Sequence, residues 1–200
     1  MQLIALVICT RVSRNWTLVN SPASSYRIRV ATPADAPTLR SLIEQSVRAL
    51  QKNDYTPAQI EGALNHALGL DTQLIEDRTY FVAEASDSTE LAGCGGWSYR
   101  RTLFGSDHGP GREAAFLNPA TDAAKIRAIF IHPDHARRGL GSLILQHCEQ
   151  QARLAGFSRF EMGSTLTGVP LYTLRGYTPC ETIDVPLPNG EVIRVVRMTK

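Results

Sequence analysis

The sequence has little cysteine, no long apolar run and almost no excess of either charge, and each shortage removes a class of protein. Its four cysteines, Cys9, Cys94, Cys148 and Cys180, stand far apart, with no C-x-x-C pair and no histidine at zinc-finger spacing. They read as free thiols of a reducing compartment, so the chain is expected to be cytoplasmic and to need no disulfide. The apolar run Leu3 to Cys9 covers seven residues, whereas a membrane-crossing helix takes about 18 or more. It also lacks the basic residues that open a secretory signal. Lys plus Arg number 21 against 19 Asp plus Glu, a net charge of +2. That balance announces neither a nucleic acid nor an acidic membrane as partner. The pair His132 and His135 has the spacing of a metal clamp, but Pro133 between them argues against the helix that would turn both to one ion. No metal is expected.

What is present is an ordinary globular composition, 43% apolar and 20% charged, in a length that suits one domain. Tyr26 to Ala31 alternates as a strand does. Thr32-Pro33-Ala34-Asp35 then carries the cap, first-turn proline and first-turn acid of a helix start. Leu39, Leu42, Ile43, Val47 and Leu50 recur at three- and four-residue steps and give that helix one apolar face. Thr56-Pro57-Ala58-Gln59 predicts a second helix through a capping box, with Ile60, Leu64, Ala67 and Leu68 as its face. Strands are predicted at Thr79 to Ala85 and Leu91 to Tyr99, joined by a polar hairpin loop from Ser86 to Glu90. From Arg100 to Ala124 glycine and proline replace apolar periodicity, and a loop that long inside a domain is usually disordered or functional.

Further strands at Ile126 to Ile131 and Phe157 to Met162 bracket a helix from Gly139 to about Ala155, with Gly156 as its stop. A short helix at Pro170 to Leu174 and two strands joined at Pro188-Asn189-Gly190 complete the pattern. One mixed sheet with helices on its faces is the fold these connections imply. Met1 to Ser25 form an N-terminal extension of unassigned role.

The sharpest local feature is His135-Ala136-Arg137-Arg138-Gly139-Leu140-Gly141-Ser142, between a buried strand and an amphipathic helix. Glycines let the backbone approach a ligand, a first helical turn leaves four N–H groups unpartnered, and the helix dipole adds about half a positive charge there. Together they make an anion site. Arg137 and Arg138 can neutralise a diphosphate, and Ser142 adds a hydroxyl. A P-loop is excluded because no Gly-Lys pair exists in the chain. A dinucleotide fingerprint would need glycine where Ile144 stands, and glycines directly after the strand, although Glu161 lies where a ribose-binding acid would.

With its strand, Ile126-Arg127-Ala128-Ile129-Phe130-Ile131-His132-Pro133, the octet resembles the acetyl-CoA-binding motif of the GNAT superfamily of N-acetyltransferases. Leu171-Tyr172-Thr173-Leu174-Arg175-Gly176-Tyr177 resembles that family's second signature. The resemblance runs from about Tyr26 onward and implies an α/β (α+β) fold over residues 26–200. Its sheet would be single and mostly antiparallel, of six to seven strands flanked by about four helices. Two positions depart from the family pattern. Ala136 stands where the loop usually begins with Gln or Arg, and Lys125 where some members carry a glutamate base.

The resemblance implies an enzyme that moves an acetyl group from acetyl-CoA, its cosubstrate, to a primary amine of a small molecule or peptide. The alternative is a non-catalytic acyl-CoA-sensing or partner-binding module on the same fold. Implied cofactor contacts are Ile129, Phe130, Ile131, Arg137, Arg138, Gly139, Leu140, Gly141 and Ser142. Tyr172 is the implied acid for the departing thiolate. A backbone N–H near Phe130 or Ile131 is the implied donor to the thioester oxygen, because members of the family splay this strand from its neighbour. Glu44 and Glu113 are weak candidates for the base, and Asp54, Glu61, His66 and Asp107 are further polar residues in the region of the acceptor groove. Partners other than acetyl-CoA and an amine are not implied, apart from a homodimer.

Overall fold

The computed structural model describes residues 25–86 and 90–200. The predicted extension up to residue 24, with Cys9, and the hairpin-loop residues 87–89 lie outside the described residues. Seven strands, β1 (Tyr26–Val30), β2 (Tyr80–Ala85), β3 (Leu91–Ser98), β4 (Ala124–Ile131), β5 (Phe160–Thr165), β6 (Thr178–Pro186) and β7 (Val192–Thr199), form one sheet in the order β1-β2-β3-β4-β5-β7-β6. Every neighbouring pair is antiparallel except β4 with β5. Five α-helices flank it among the described residues: α1 (Ala36–Leu50), α2 (Pro57–Ala63), α3 (Thr72–Glu76), α4 (Leu140–Leu154) and α5 (Val169–Leu174). No helix among the described residues is long and apolar enough to cross a membrane.

The sheet is buried from both sides because successive strand residues face opposite ways. Tyr80 and Val82 of β2 join a core with Leu39, Ile43 and Val47 of α1, while Phe81 and Ala83 join one with Ile144, Leu145 and Cys148 of α4. The predicted stripe of α1 is therefore its core face, and it carries one polar member, buried Ser46. The start of α1 is a single 3-10 turn, Pro33–Asp35, in which the Asp35 carboxylate accepts the Thr32 N–H at 2.7 Å.

Three expectations need correction. The second helix ends at Ala63 rather than near Leu68: Asn65 adopts φ 60° and donates its N–H to the Leu68 carbonyl at 2.8 Å. Asparagine tolerates that left-handed conformation, so Ala67 and Leu68 reach the core from a loop. Predicted at Phe157, β5 begins instead at Phe160, because the Phe157 N–H closes the end of α4 onto Ala152, with Gly156 at φ 94°. The stretch from Arg100 to Ala123 is a fastened loop. Arg100 grips Asp77 with bonds of 2.6 and 2.8 Å, Arg112 pairs with Asp71, and Ser106 Oγ donates to the Asn65 and His66 carbonyls. The five-residue α3, capped by Asp71, is too short to show a period in sequence.

One irregularity shapes the centre of the sheet. The parallel pairing of β4 with β5 covers only Ala124 with Phe160 and Lys125 with Glu161, and a Lys125–Glu161 ion pair ties that end. Beyond it the strands part. On its other edge, against β3, the same stretch of β4 carries a bulge: Cys94 opposes Phe130 but Gly96 opposes Arg127, and Ala128 takes φ 52°. The buried Tyr80 hydroxyl donates to the Ala128 carbonyl at 3.1 Å.

Candidate active site

The opening between β4 and β5 is the floor of two adjoining spaces. An outer cleft of about 240 Å³ runs from the start of α4 to α5, and an inner cavity of about 80 Å³ lies toward the 100–105 loop. Gln51, Ile129, Phe130, Thr165 and Tyr172 line both, so they mark the junction.

At the outer end stands the glycine-rich helix start. Gly139 is the N-cap of α4 at φ 84°, and Arg137 sits at φ 61°, a conformation few non-glycine residues adopt and one that clusters at functional sites. This turn aims the first N–H groups of α4 at the cleft, which Gly139, Gly141 and Ser142 line. Among the predicted contacts, Arg137 lines the cleft, whereas exposed Arg138 does not. Leu140 is 1% exposed, belongs to the core and does not line the cleft. Arg175, which the sequence motif contained without a role, donates through Nε to Ser142 Oγ at 3.0 Å and brings a further cation to this end.

Along the floor, the bond from the His132 N–H to the Ala92 carbonyl fixes the antiparallel alternation. It turns the Ile131 N–H away from β3 and toward the opening, where Ser46 Oγ of α1 accepts it at 3.2 Å. Ile129, Phe130 and Ile131 all line the cleft.

Across the junction Tyr172 projects from α5. Its ring fits against Gly168, where a Cβ would lie 2.7 Å from Cε2, and meets the Tyr177 ring edge-on at 6.1 Å between centroids. Burial pushes its hydroxyl above the ordinary phenol value, so it keeps its proton at neutral pH.

The inner cavity is lined by the guanidinium of Arg127, 3% exposed, which donates to the Thr102 and Gly105 carbonyls and to Asp71 Oδ2 at 2.8 to 2.9 Å. Burial lowers its pKa and Asp71 opposes that shift. No Asp or Glu among the described residues lines either space. Glu44 pairs with Arg48, Glu61 with the same arginine, and Glu113 with Arg101, all on exposed surface. Asp54 accepts the Thr167 hydroxyl, Asp107 accepts the Thr72 N–H, and the His66 carbonyl anchors Ser106. Lys125 and Glu161 are spent on each other at the closed end of the opening. His132 caps the 3-10 turn Pro133–His135, and His135 bonds the Tyr26 hydroxyl at 3.1 Å. Among the described residues no group of three or more metal-ligating side chains converges. Cys94 and Cys148 are free and buried, and Cys180 is free and exposed.

Three contributors escaped the sequence. Ser46 and Gln51 are polar residues on the core face of α1, Gln51 standing two four-residue steps from Ile43, and Arg127 is a charge inside a buried strand. A polar residue in an apolar stripe was the available signal.

The sequence model of the acetyltransferase (GNAT) family matches residues 44–177. No curated protein sequence matches. Among solved structures, a GCN5-related N-acetyltransferase from Rhodopseudomonas palustris superposes with a TM-score of 0.64 at 18% identity, over 88% of this chain and 95% of that one. PaiA N-acetyltransferase from Thermoplasma acidophilum, solved in complex with coenzyme A, gives 0.60 at 13% identity over 88% and 98%. Ribosomal-protein-alanine N-acetyltransferase from Brucella melitensis gives 0.57 at 17% over 87% and 98%. At these identities the likeness is one of fold.

Proposed function

The chain belongs to the acetyltransferase (GNAT) family and is thereby an acyltransferase; we propose that it moves an acetyl group from acetyl-CoA to a primary amine by direct attack while both are bound. The observation that carries this reading is the opening between β4 and β5, which joins the glycine-rich start of α4 to Tyr172. The residues present fit the cosubstrate. The first N–H groups of α4, with Arg137, would hold the pyrophosphate, and Arg175 would fix Ser142 for the same task. The parted edge of β4 leaves room for the pantetheine arm beside Ile129 and Ile131.

Acetyl-CoA supplies an activated acyl group. The Ile131 N–H, released by or shared with Ser46, would donate to the carbonyl oxygen as negative charge builds there; removing one such donor typically costs about 2.7 to 4 kcal/mol of barrier. Tyr172 would give its proton to the departing thiolate. An amine of pKa near 10 must first lose a proton. No Asp or Glu among the described residues lines either space, so water would take that proton.

Isothermal titration is expected to show acetyl-CoA and CoA binding in the micromolar range, and no heat at high concentration would remove the proposal. Thiol release on a panel of polyamines, aminoglycosides, amino acids and peptides separates an enzyme from an acyl-CoA sensor, which would bind and release nothing.

A further inference from the structure

The Gln51 side-chain amide has no hydrogen-bond partner among the described residues. The residue is 6% exposed, and its Oε1 is buried without a partner. Such a group costs stability, and folds keep few of them. Its backbone is fully employed: the N–H caps α1 on Val47, and the carbonyl accepts from Asp54 and Tyr55. The amide is therefore placed by a fixed helix end, and it lines both the outer cleft and the inner cavity.

We infer that Gln51 binds the acceptor amine at the point of attack. The inference rests on the acetyl-transfer reading. A primary amine that turns its lone pair to the thioester keeps two N–H bonds, and in a space without carboxylates each needs a neutral acceptor. The Gln51 carbonyl oxygen, buried without a partner among the described residues, is such an acceptor at the junction of the two spaces. Its dipole also favours the positive charge that grows on nitrogen during attack, without raising the pKa of the waiting amine as a carboxylate would.

Two CoA derivatives test this without knowledge of the acceptor. S-carboxamidomethyl-CoA ends in an amide NH₂ just beyond the thioester position, whereas S-acetonyl-CoA has a methyl group there. The protein is expected to bind the first about tenfold more tightly, and Gln51→Leu to bind the two alike while its affinity for CoA stays within about twofold of the parent. Equal binding of the two derivatives by the parent would overturn the assignment, as would a Gln51→Leu protein that loses CoA itself, because the amide would then serve the cosubstrate. Failure of the parent to bind CoA at all would instead sink the acetyl-transfer reading, and this inference with it. The ligand-free Gln51→Leu protein should melt at a higher temperature than the parent, since an unpartnered buried amide is removed. A lower melting temperature would mean that the amide is bonded within the fold, against the proposal.

Discussion

The hydroxyl of Tyr80, on β2, holds the carbonyl of Ala128, on β4, at 3.1 Å across the intervening strand. That bond supports the one left-handed residue of β4, in the bulge that follows the last β4–β5 pair. Tyr80→Phe leaves the carbonyl unpaired in the core. A loss of about 1 to 3 kcal/mol is expected in denaturant melts, together with weaker acetyl-CoA binding by titration. A destabilised variant with unchanged acetyl-CoA affinity would separate the bulge from the site.

Tyr172→Phe should lower kcat while leaving acetyl-CoA affinity nearly unchanged, because the ring still packs on Gly168 and only the proton donor is lost. Since burial raises the Tyr172 hydroxyl above the ordinary phenol value, no loss of activity from its ionisation is expected below about pH 10. Wild-type turnover in the variant would move the acid elsewhere.

The two adjacent arginines should separate in CoA binding. Arg137→Glu, at the cleft, is expected to weaken CoA by about tenfold or more, and Arg138→Glu, outside the lining, by much less. The loss at Arg137 should shrink when pantetheine replaces CoA. Equal losses for both ligands would contradict a phosphate contact.

With no Asp or Glu among the described residues lining either space, the rate with an amine acceptor should climb with pH toward the amine's own pKa. A plateau near neutrality in kcat/KM for the amine would reveal a protein base.

At the other end of the sheet, the Arg29 guanidinium holds the Asp35 carboxyl well below the usual carboxylate range, and Arg27 with Arg29 lowers Glu84. A carboxyl depressed in the folded state contributes stability that is complete above its unfolded value, about 4, and is lost as pH falls through the folded one. The melting temperature should therefore drop as pH falls from about 5, and Asp35→Asn should flatten that slope while costing stability at pH 7. An unchanged slope in the variant would put the acid lability elsewhere.

Features that depend on neighbouring residues were legible in the sequence. Thr32-Pro33-Ala34-Asp35 and Gly139-Leu140-Gly141 encode their turns within a few positions, so the 3-10 turn that opens α1 and the start of α4 were readable to within a residue or two. Leu64, Ala67 and Leu68 kept a helical spacing yet left the helix, because Asn65 diverts the chain and burial alone does not distinguish a helix from a folded loop. Tyr172 and Arg137, singled out by their motifs, both line the cleft. Ser46, Gln51 and Arg127 were not foreseen, since each depends on groups far off in sequence: Ile131 for Ser46, the cavity floor for Gln51, Asp71, Thr102 and Gly105 for Arg127. The fastening of the 100–123 loop has the same origin, arginines meeting carboxylates far off in sequence.

The brevity of the parallel pairing between β4 and β5 divides the backbone ladder into two blocks, β1 to β4 and β5 with β7 and β6, stitched by two residue pairs. Cooperative unfolding units tend to follow such divisions. In hydrogen exchange the ligand-free protein should protect the two blocks unequally, and a ligand lying between them should bring their protection closer together. The cosubstrate would then act as the missing length of strand, and part of its binding energy would appear as mechanical coupling between the two halves.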